Sequence, residues 1–501
     1  MNLMMLLEMA ASGFPDRVAV TDGVDRLTYG ELFAAAGAAA AEIRESGATR
    51  AAVLDVSSLA LPVGLFASAW AGVPFVPLNY RLTGEELDRL IEQITPCHLI
   101  TDPTRAAELD AREGVKASTR DDFLSRSRAG TALDASWGMD PEEIAILLFT
   151  SGTTGPPKAA VLRHKHLVSY ILTSVEFGSA PEGSAGLVSV PPYHIAGMAA
   201  IASSIYSGRK IVQLPNFDAD AWIDLALRES VTHAFVVPTM LTRIVDALET
   251  KKTELPSLVA LSYGGGKMPL PVIERAMKLF PVSTDFTNAY GLTETSSTLT
   301  VLGPDDHRVA SVADTDEGRR RLGSVGRALP SVEIEIRDED GKAVAAGVRG
   351  EIYVRGEQVS GEYLGKGTRV ENDGFFPTRD GGWIDDEGYL FLEGRIDDII
   401  VRGGENMSPG EIEEVLLDHE SVADCAVVGI PDEQWGEAVA AAIVCKSGCE
   451  VEADALRAYV KDQLRSSRVP QHISFVGELP YNETGKLLRR VVRSDFAAKG
   501  S

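Results

Sequence analysis

Along the chain, short runs of uninterrupted apolar residues alternate with segments whose apolar positions recur at helical spacing. The runs AAVLDV (51–56), CHLIT (97–101), AGLVSV (185–190), RKIVQL (209–214) and THAFVV (232–237) have the length and composition of buried strands. Between such runs, Thr83 to Ile94 and Ala219 to Glu229 carry the helical period. Parallel strands need crossover connections, so this alternation predicts an α/β architecture with largely parallel sheets. From about Val332 to Gly388 the pattern changes to short strands (VEIEIRD, GEIYVRG) separated by Asp340-Gly341 and Asp380-Gly381-Gly382, which predicts a more antiparallel β region. After Glu411 the segments EIEEVLLDH, DCAVVGI, AVAAAIVCK and ADALRAYVKDQL are enough for a small α+β domain.

Two charge-free stretches, Val56 to Tyr80 and Gly183 to Gly208, are long enough to raise the question of a membrane span. The first holds Pro62, Pro74 and Pro77 and the second Pro191, Pro192 and His194, so buried α/β elements explain both better. The first reads as a strand, a short buried helix (LPVGLFASAW) and a second strand (VPFVPL). The N-terminal MNLMMLLEMA has no Lys or Arg before its apolar run and contains Glu8, unlike a secretory signal, so a cytoplasmic location is expected. At 501 residues more than one domain is expected, and a net charge of −25 argues against nucleic-acid partners. Cys97, Cys425, Cys445 and Cys449 suit neither a disulfide framework nor a zinc site.

Chemistry enters at IAILLFTSGTTGPPKAAV (144–161). A buried strand leads into a loop of hydroxyls and glycines, Thr150, Ser151, Gly152, Thr153 and Thr154, that ends at Lys158. Converging backbone N–H groups, hydroxyls and an ammonium are what a polyphosphate requires, although Pro157 and Ala159 around the lysine rule out a Walker loop. In NAYGLTET (288–295), Tyr290 offers a flat face for a purine and Asn288 an amide for an amino edge. Thr293 can donate to a phosphate, and Glu294 is a hard ligand suited to nucleotide-borne Mg²⁺. SYGGGKM (262–268) allows backbone to approach a flat ligand closely.

Together with Thr378-Arg379-Asp380, GRIDDIIVRGGENMSPGE (394–411) and PYNETGKLLR (480–489), these motifs resemble, nearly end to end, the adenylate-forming superfamily in its acyl-CoA synthetase branch. The resemblance implies a large N-terminal domain of stacked α/β layers with a β-barrel-like subdomain (1–396) and a small mobile α+β C-terminal domain (397–501), hinged at Asp397. It implies ATP, Mg²⁺ and coenzyme A as cofactors and a carboxylic acid activated through acyl-AMP. On that template Lys486, Thr293, Glu294 and His194 form the catalytic set, and Glu294 carries the metal. Thr150, Ser151, Gly152, Thr153, Thr154 and Lys158 would hold phosphates. Gly264, Gly265, Asn288, Ala289, Tyr290 and Gly291 would enclose adenine, and Asp380 with Arg395 would hold the ribose. Gly403 and Gly404 would line a pantetheine tunnel, with Trp435 either stacking on the CoA adenine or packing at the surface. The acyl site would draw on His194, Met198, Val237, Gly266 and Ser297. No carboxylate stands in HAFVVP where amino-acid-activating relatives place one, which favours an apolar, non-amino acid, whether fatty, alicyclic, polycyclic or aromatic.

The chain departs from the family pattern at Ala159 and Arg379, where Gly is usual, and at Lys267, where Pro is usual. The departures around the phosphate and ribose loops motivate one alternative to a full ligase, an enzyme that only thioesterifies a preformed acyl-adenylate; an adenylation enzyme that loads a carrier protein is the other alternative.

Overall fold

The computed structural model describes residues 1–150, 158–313, 315–403, 405–482 and 487–499. These form two compact units. The first comprises Met1–Glu333 with Arg355–Phe376, and the second Ile334–Val354 with the chain from Pro377 onward.

The first unit is built on two sheets. One runs, in spatial order, Arg327–Ala328, Ser297–Leu302, Asp285–Leu292, Ala260–Gly264, His233–Val236, Ala185–Val188, Lys210–Gln213, Val18–Thr21 and Arg26–Thr28. Its central strands are parallel, as their apolar runs predict. In the other sheet Ile144–Thr150 and Lys158–Arg163 form an antiparallel pair beside the parallel strands Phe75–Pro77, Arg50–Leu54, Cys97–Thr101 and Val115–Thr119. The first charge-free stretch becomes helix Ala60–Ala71, buried along its whole length, which is why it shows no amphipathic stripe. The N-terminal apolar run becomes helix Met4–Gly13, with Met4, Leu6, Leu7 and Ala10 in the core. Just ahead of it, the Leu3 amide donates to Nδ1 of buried His164 at 3.2 Å. Helix Tyr29–Glu45 starts at a capping box in which Thr28 accepts from the Glu31 amide and Glu31 reaches back to the Thr28 amide. No described helix is long and apolar enough to cross a membrane.

In the second unit the barrel-like region expected after residue 332 is a four-stranded sheet, Glu333–Arg337, Gly350–Arg355, Phe376–Ile384 and Leu390–Arg395. The C-terminal part is α+β. A long antiparallel hairpin, Val422–Asp432 with Gly436–Cys445, is flanked by Ile400–Arg402, Glu405–Met407 and the parallel strand His472–Phe475. Helices Pro409–Leu417 and Ala453–Gln463 close one face over Ile412, Leu416, Val427, Val439 and Leu456. All four cysteines are free, and burial pushes the Cys97 thiol up to about 11. Among the described residues no three His, Cys, Asp or Glu side chains gather as a metal cluster.

Candidate active site

Strands Ala260–Gly264 and Asp285–Leu292 run parallel, with Gly264 opposite Ala289. They approach so closely that a Cβ on Gly264 would lie 2.2 Å from the Ala289 carbonyl oxygen, so only glycine fits. Gly291 is equally obligatory, because a Cβ there would meet the Ser297 carbonyl at 1.7 Å. Tyr290 is buried and Gly265 and Gly266 are exposed at the strand end. The Asn288 amide is fixed in orientation, since its Nδ2 donates to the Ser324 carbonyl at 3.0 Å.

After Leu292 the chain makes a tight turn, Thr293–Thr295, and returns as Ser297–Leu302. Ser296 and Ser297 adopt φ of 55° and 107°, values that side chains other than glycine's avoid. The segment 358–364 over-determines this turn. Gln358 donates to the carbonyls of Thr295 and Thr298 at 3.1 and 2.7 Å, and the amides of Ser360 and Gly361 donate to the Glu294 carbonyl. The Tyr363 hydroxyl donates to Glu294 Oε1 at 2.5 Å. Strained backbone held in this way clusters where geometry serves function.

The same segment grips the phosphate-loop hairpin. Thr150 pairs with Lys158 and its hydroxyl donates to the Lys158 carbonyl at 3.2 Å, closing the base of the loop. Glu362 and Tyr363 pair with Val161 and Ala160, and Glu362 takes two bonds from Arg163 at 2.8 and 2.9 Å. Ala159 is buried and pairs with Phe149 across the hairpin. Ser151, Gly152, Thr153 and Thr154 lie outside the described residues. Strand Asp285–Leu292, the Glu294 turn and the Ile144–Arg163 hairpin are thus connected through segment 358–364.

In the same unit, His194 precedes helix Ile195–Ser207 and packs against Tyr193 with ring centroids 4.8 Å apart and planes tilted by 51°. Its residue surface is half-buried, but Nε2 is sealed from solvent and has no hydrogen-bond partner among the described residues. Burial lowers its pKa to about 4, so at neutral pH the ring is uncharged. Met198 and Val237 are buried, and a Cβ on Gly265 would lie 3.5 Å from Val237 Cγ1. Phe235, which no sequence motif singles out, places its ring Cε2 3.6 Å from where a Cβ on Gly264 would lie.

In the second unit Asp380 pairs with Arg395 across Phe376–Ile384 and Leu390–Arg395. Arg395 Nε stands 3.1 Å from Asp380 Oδ1, and its Nη1 donates to the Thr378 carbonyl at 2.8 Å. Arg379 has φ of 64°. Its guanidinium turns to Asp397, donating at 2.6 Å, and its amide donates to Glu351 at 3.0 Å. Gly403 donates to the Trp435 carbonyl at 2.7 Å, and half of the Trp435 surface is open. Lys486 and Gly404 lie outside the described residues. On either side of Lys486, Tyr481 bridges Leu487, and the buried Arg489 guanidinium is held by Glu413 and the Val427 carbonyl.

Residues 7–364 match the AMP-binding enzyme family, and residues 411–486 match the AMP-binding enzyme C-terminal domain. The chain is a member of the AMP-binding enzyme family. It is 33% identical to a 2-succinylbenzoate–CoA ligase of Bacillus cereus, over 96% of this chain and 95% of that one. It is 30% identical to an indoleacetate–CoA ligase of Aromatoleum aromaticum, over 100% and 99%. Its structure resembles that of o-succinylbenzoate CoA synthetase from Bacillus subtilis in complex with its acyl-adenylate intermediate, with a TM-score of 0.83, 28% identity and 97% of each chain covered.

For an AMP-binding enzyme, the acidic turn also bears on the metal. Mg²⁺ keeps most of its water and typically takes one or two carboxylates plus substrate phosphates. A single carboxylate held on one oxygen by a tyrosine hydroxyl fits that habit. The sequence names Glu294 but carries no local signal for Tyr363, which is 69 residues away. Ser324, Gln358 and Phe235 are likewise visible only once the strands are paired.

Proposed function

We propose that this AMP-binding enzyme is an AMP-forming acyl-CoA ligase for an apolar, non-amino carboxylic acid, with aromatic acids the first class to test. One carboxylate oxygen attacks the α-phosphorus of ATP and pyrophosphate leaves. The thiolate of coenzyme A then attacks the acyl carbon and AMP leaves. The observation that supports this best is the bracing of Glu294 by Tyr363 on a segment that also grips the phosphate-loop hairpin. Metal on Glu294 would neutralise phosphate charge. Thr150 to Thr154 and Lys158 would hold the phosphates, and Gly264, Gly265 and Asn288 to Gly291 the base, while Thr293 would donate to a phosphate. Asp380 and Arg395 would take the ribose.

Neutral His194 suits a wall of the acyl pocket, with Met198, Val237, Gly266 and Ser297 completing it. Lys486 would place its ammonium between the carboxylate and the α-phosphate as charge develops there. The domain carrying it, residues 397–501, would pivot at Asp397, after which Gly403 and Gly404 would line the thiol's path and Trp435 would meet the nucleotide end of coenzyme A. A cytoplasmic location, with its ATP and coenzyme A, goes with this reading. The departures at Ala159 and Arg379 are compatible with it, because Ala159 is a buried strand residue and the Arg379 guanidinium is turned to Asp397.

The test incubates purified protein with ATP, Mg²⁺, coenzyme A and a panel of aryl and alkyl acids, beside a second set with synthetic acyl-adenylates and coenzyme A. Acyl-CoA from both sets is expected. Lys486→Ala should lower adenylate formation about 100- to 1,000-fold, as removal of other oriented charge donors does. Thioester from the adenylates alone, across acids whose adenylates react, would replace this reading with thioesterification only.

A further inference from the structure

Gln213 is fully buried at the end of strand Lys210–Gln213, and neither its Oε1 nor its Nε2 has a hydrogen-bond partner among the described residues. Leaving both ends of a buried carboxamide unpaired is costly, and native structures rarely do it unless a ligand or water completes the pair. Strand register shows which way the side chain faces. Gln213 is opposite Val188, Val188 is opposite Phe235, and Phe235 is opposite Ser262. Directly opposed residues share a face of a sheet, as do residues two apart on one strand. Gln213, Phe235, Ser262 and Gly264 therefore project from the same face, which the contact between Phe235 and the Gly264 position bears out.

That face is partly open over Phe235, Ser262, Thr287 and Ala289, whereas their neighbours Val236, Tyr263, Phe286 and Asn288 are buried. It closes toward Val188 and Gln213. Spatially the strands run from Asp285–Leu292 through Ala260–Gly264, His233–Val236 and Ala185–Val188 to Lys210–Gln213. The proposed adenylate lies at the first two and the Phe235 wall at the third. Gln213 stands two strand spacings beyond that wall, roughly 10 Å. The one basic residue of its strand, Lys210, is tied to Glu229 at 2.8 Å, so an ionised tail would arrive without a counter-charge.

We propose that Gln213 is a specificity-determining residue that reads a neutral group able both to donate and to accept, a hydroxyl above all, at the distal end of the acid. This rests on the acyl-CoA ligase reading and refines its substrate class. The substrate would be an apolar body with its reactive carboxylate at one end and a single uncharged polar group at the other.

The experiment compares ω-aryl alkanoic acids of graded chain length, each with and without a para-hydroxyl, in the wild type and in Gln213→Leu and Gln213→Met, reading kcat/KM for thioester formation. At one chain length the wild type should favour the hydroxylated acid about 10- to 100-fold, the range for leaving a buried polar group paired or unpaired. Both variants should lose that preference and keep or improve turnover of the plain acid, and they should melt no lower than the wild type because an unpaired amide is gone. An unchanged hydroxyl preference in both variants, or a wild-type preference for the plain acid at every length, overturns the proposal while leaving the ligase reading intact. No thioester from any acid overturns the ligase reading, and this inference falls with it.

Discussion

Glu294 owes its position to Tyr363. A phenol donating to one carboxylate oxygen restricts the rotamer. Tyr363→Phe keeps the ring and removes the hydroxyl that holds Glu294, so the fold should be unaffected while the Mg²⁺ concentration for half-maximal adenylation rises about tenfold, in line with the loss of an outer-shell partner. Titrating Mg²⁺ at saturating ATP checks this, and an unchanged half-maximum would mean that Tyr363 only packs. The contrast between the two residues shows how far sequence reading reaches. Glu294 is named by a compact motif, since chemistry-bearing residues in a tight turn sit side by side in the chain. Tyr363 and Gln358 act on that turn and Ser324 on Asn288 in the strand before it, and only the folding together of distant segments makes them neighbours.

At the scale of elements, the turn at Arg379 combines an unfavourable backbone with a favourable ion pair. A φ of 64° costs an arginine about 1 to 2 kcal/mol. Its pairing with Asp397, both side chains half exposed, contributes roughly 0 to 1 kcal/mol. Arg379→Gly should therefore leave the melting temperature of the second unit unchanged or slightly raised, whereas Arg379→Ala keeps the strain, loses the pair and should lower it. Calorimetry of the two variants side by side separates the contributions, and equal losses in both would show that the backbone is not strained. The elements themselves were largely legible: buried parallel strands announce themselves as short apolar runs, and AAVLDV, CHLIT, AGLVSV, RKIVQL and THAFVV each contain a strand. The ends were less so. DCAVVGI continues as far as Asp432 because the antiparallel partner Gly436–Cys445 supplies hydrogen bonds beyond the apolar run. The charge of Arg379 is visible in sequence, but its left-handed backbone is not.

At the scale of the whole molecule, six of the eight histidines, His98, His164, His166, His194, His233 and His307, have pKa values lowered chiefly by burial. All six lie in the first unit. His164 and His166 each accept a backbone N–H at Nδ1, from Leu3 and Arg163, which protonation of that atom forbids. A folded pKa below the unfolded one means that the stabilisation is complete above pH 6.5 and is lost as pH falls toward 4. For rings lowered to about 4, each loss is on the order of 3 kcal/mol. The melting temperature of the first unit should thus hold from pH 8 to 7 and fall steeply between pH 6 and 4.5. A flat profile across that interval would show that these rings are not buried in neutral form. The fixed amide of Asn288 carries a different consequence. With one Nδ2 hydrogen given to the Ser324 carbonyl the amide cannot flip, and on the proposed reading it is the Oδ1 edge that meets the base. That oxygen welcomes the exocyclic amine of adenine, whereas a purine bearing a 6-oxo group would set acceptor against acceptor. A single main-chain oxygen from a neighbouring loop would thereby discriminate against inosine and guanosine triphosphates.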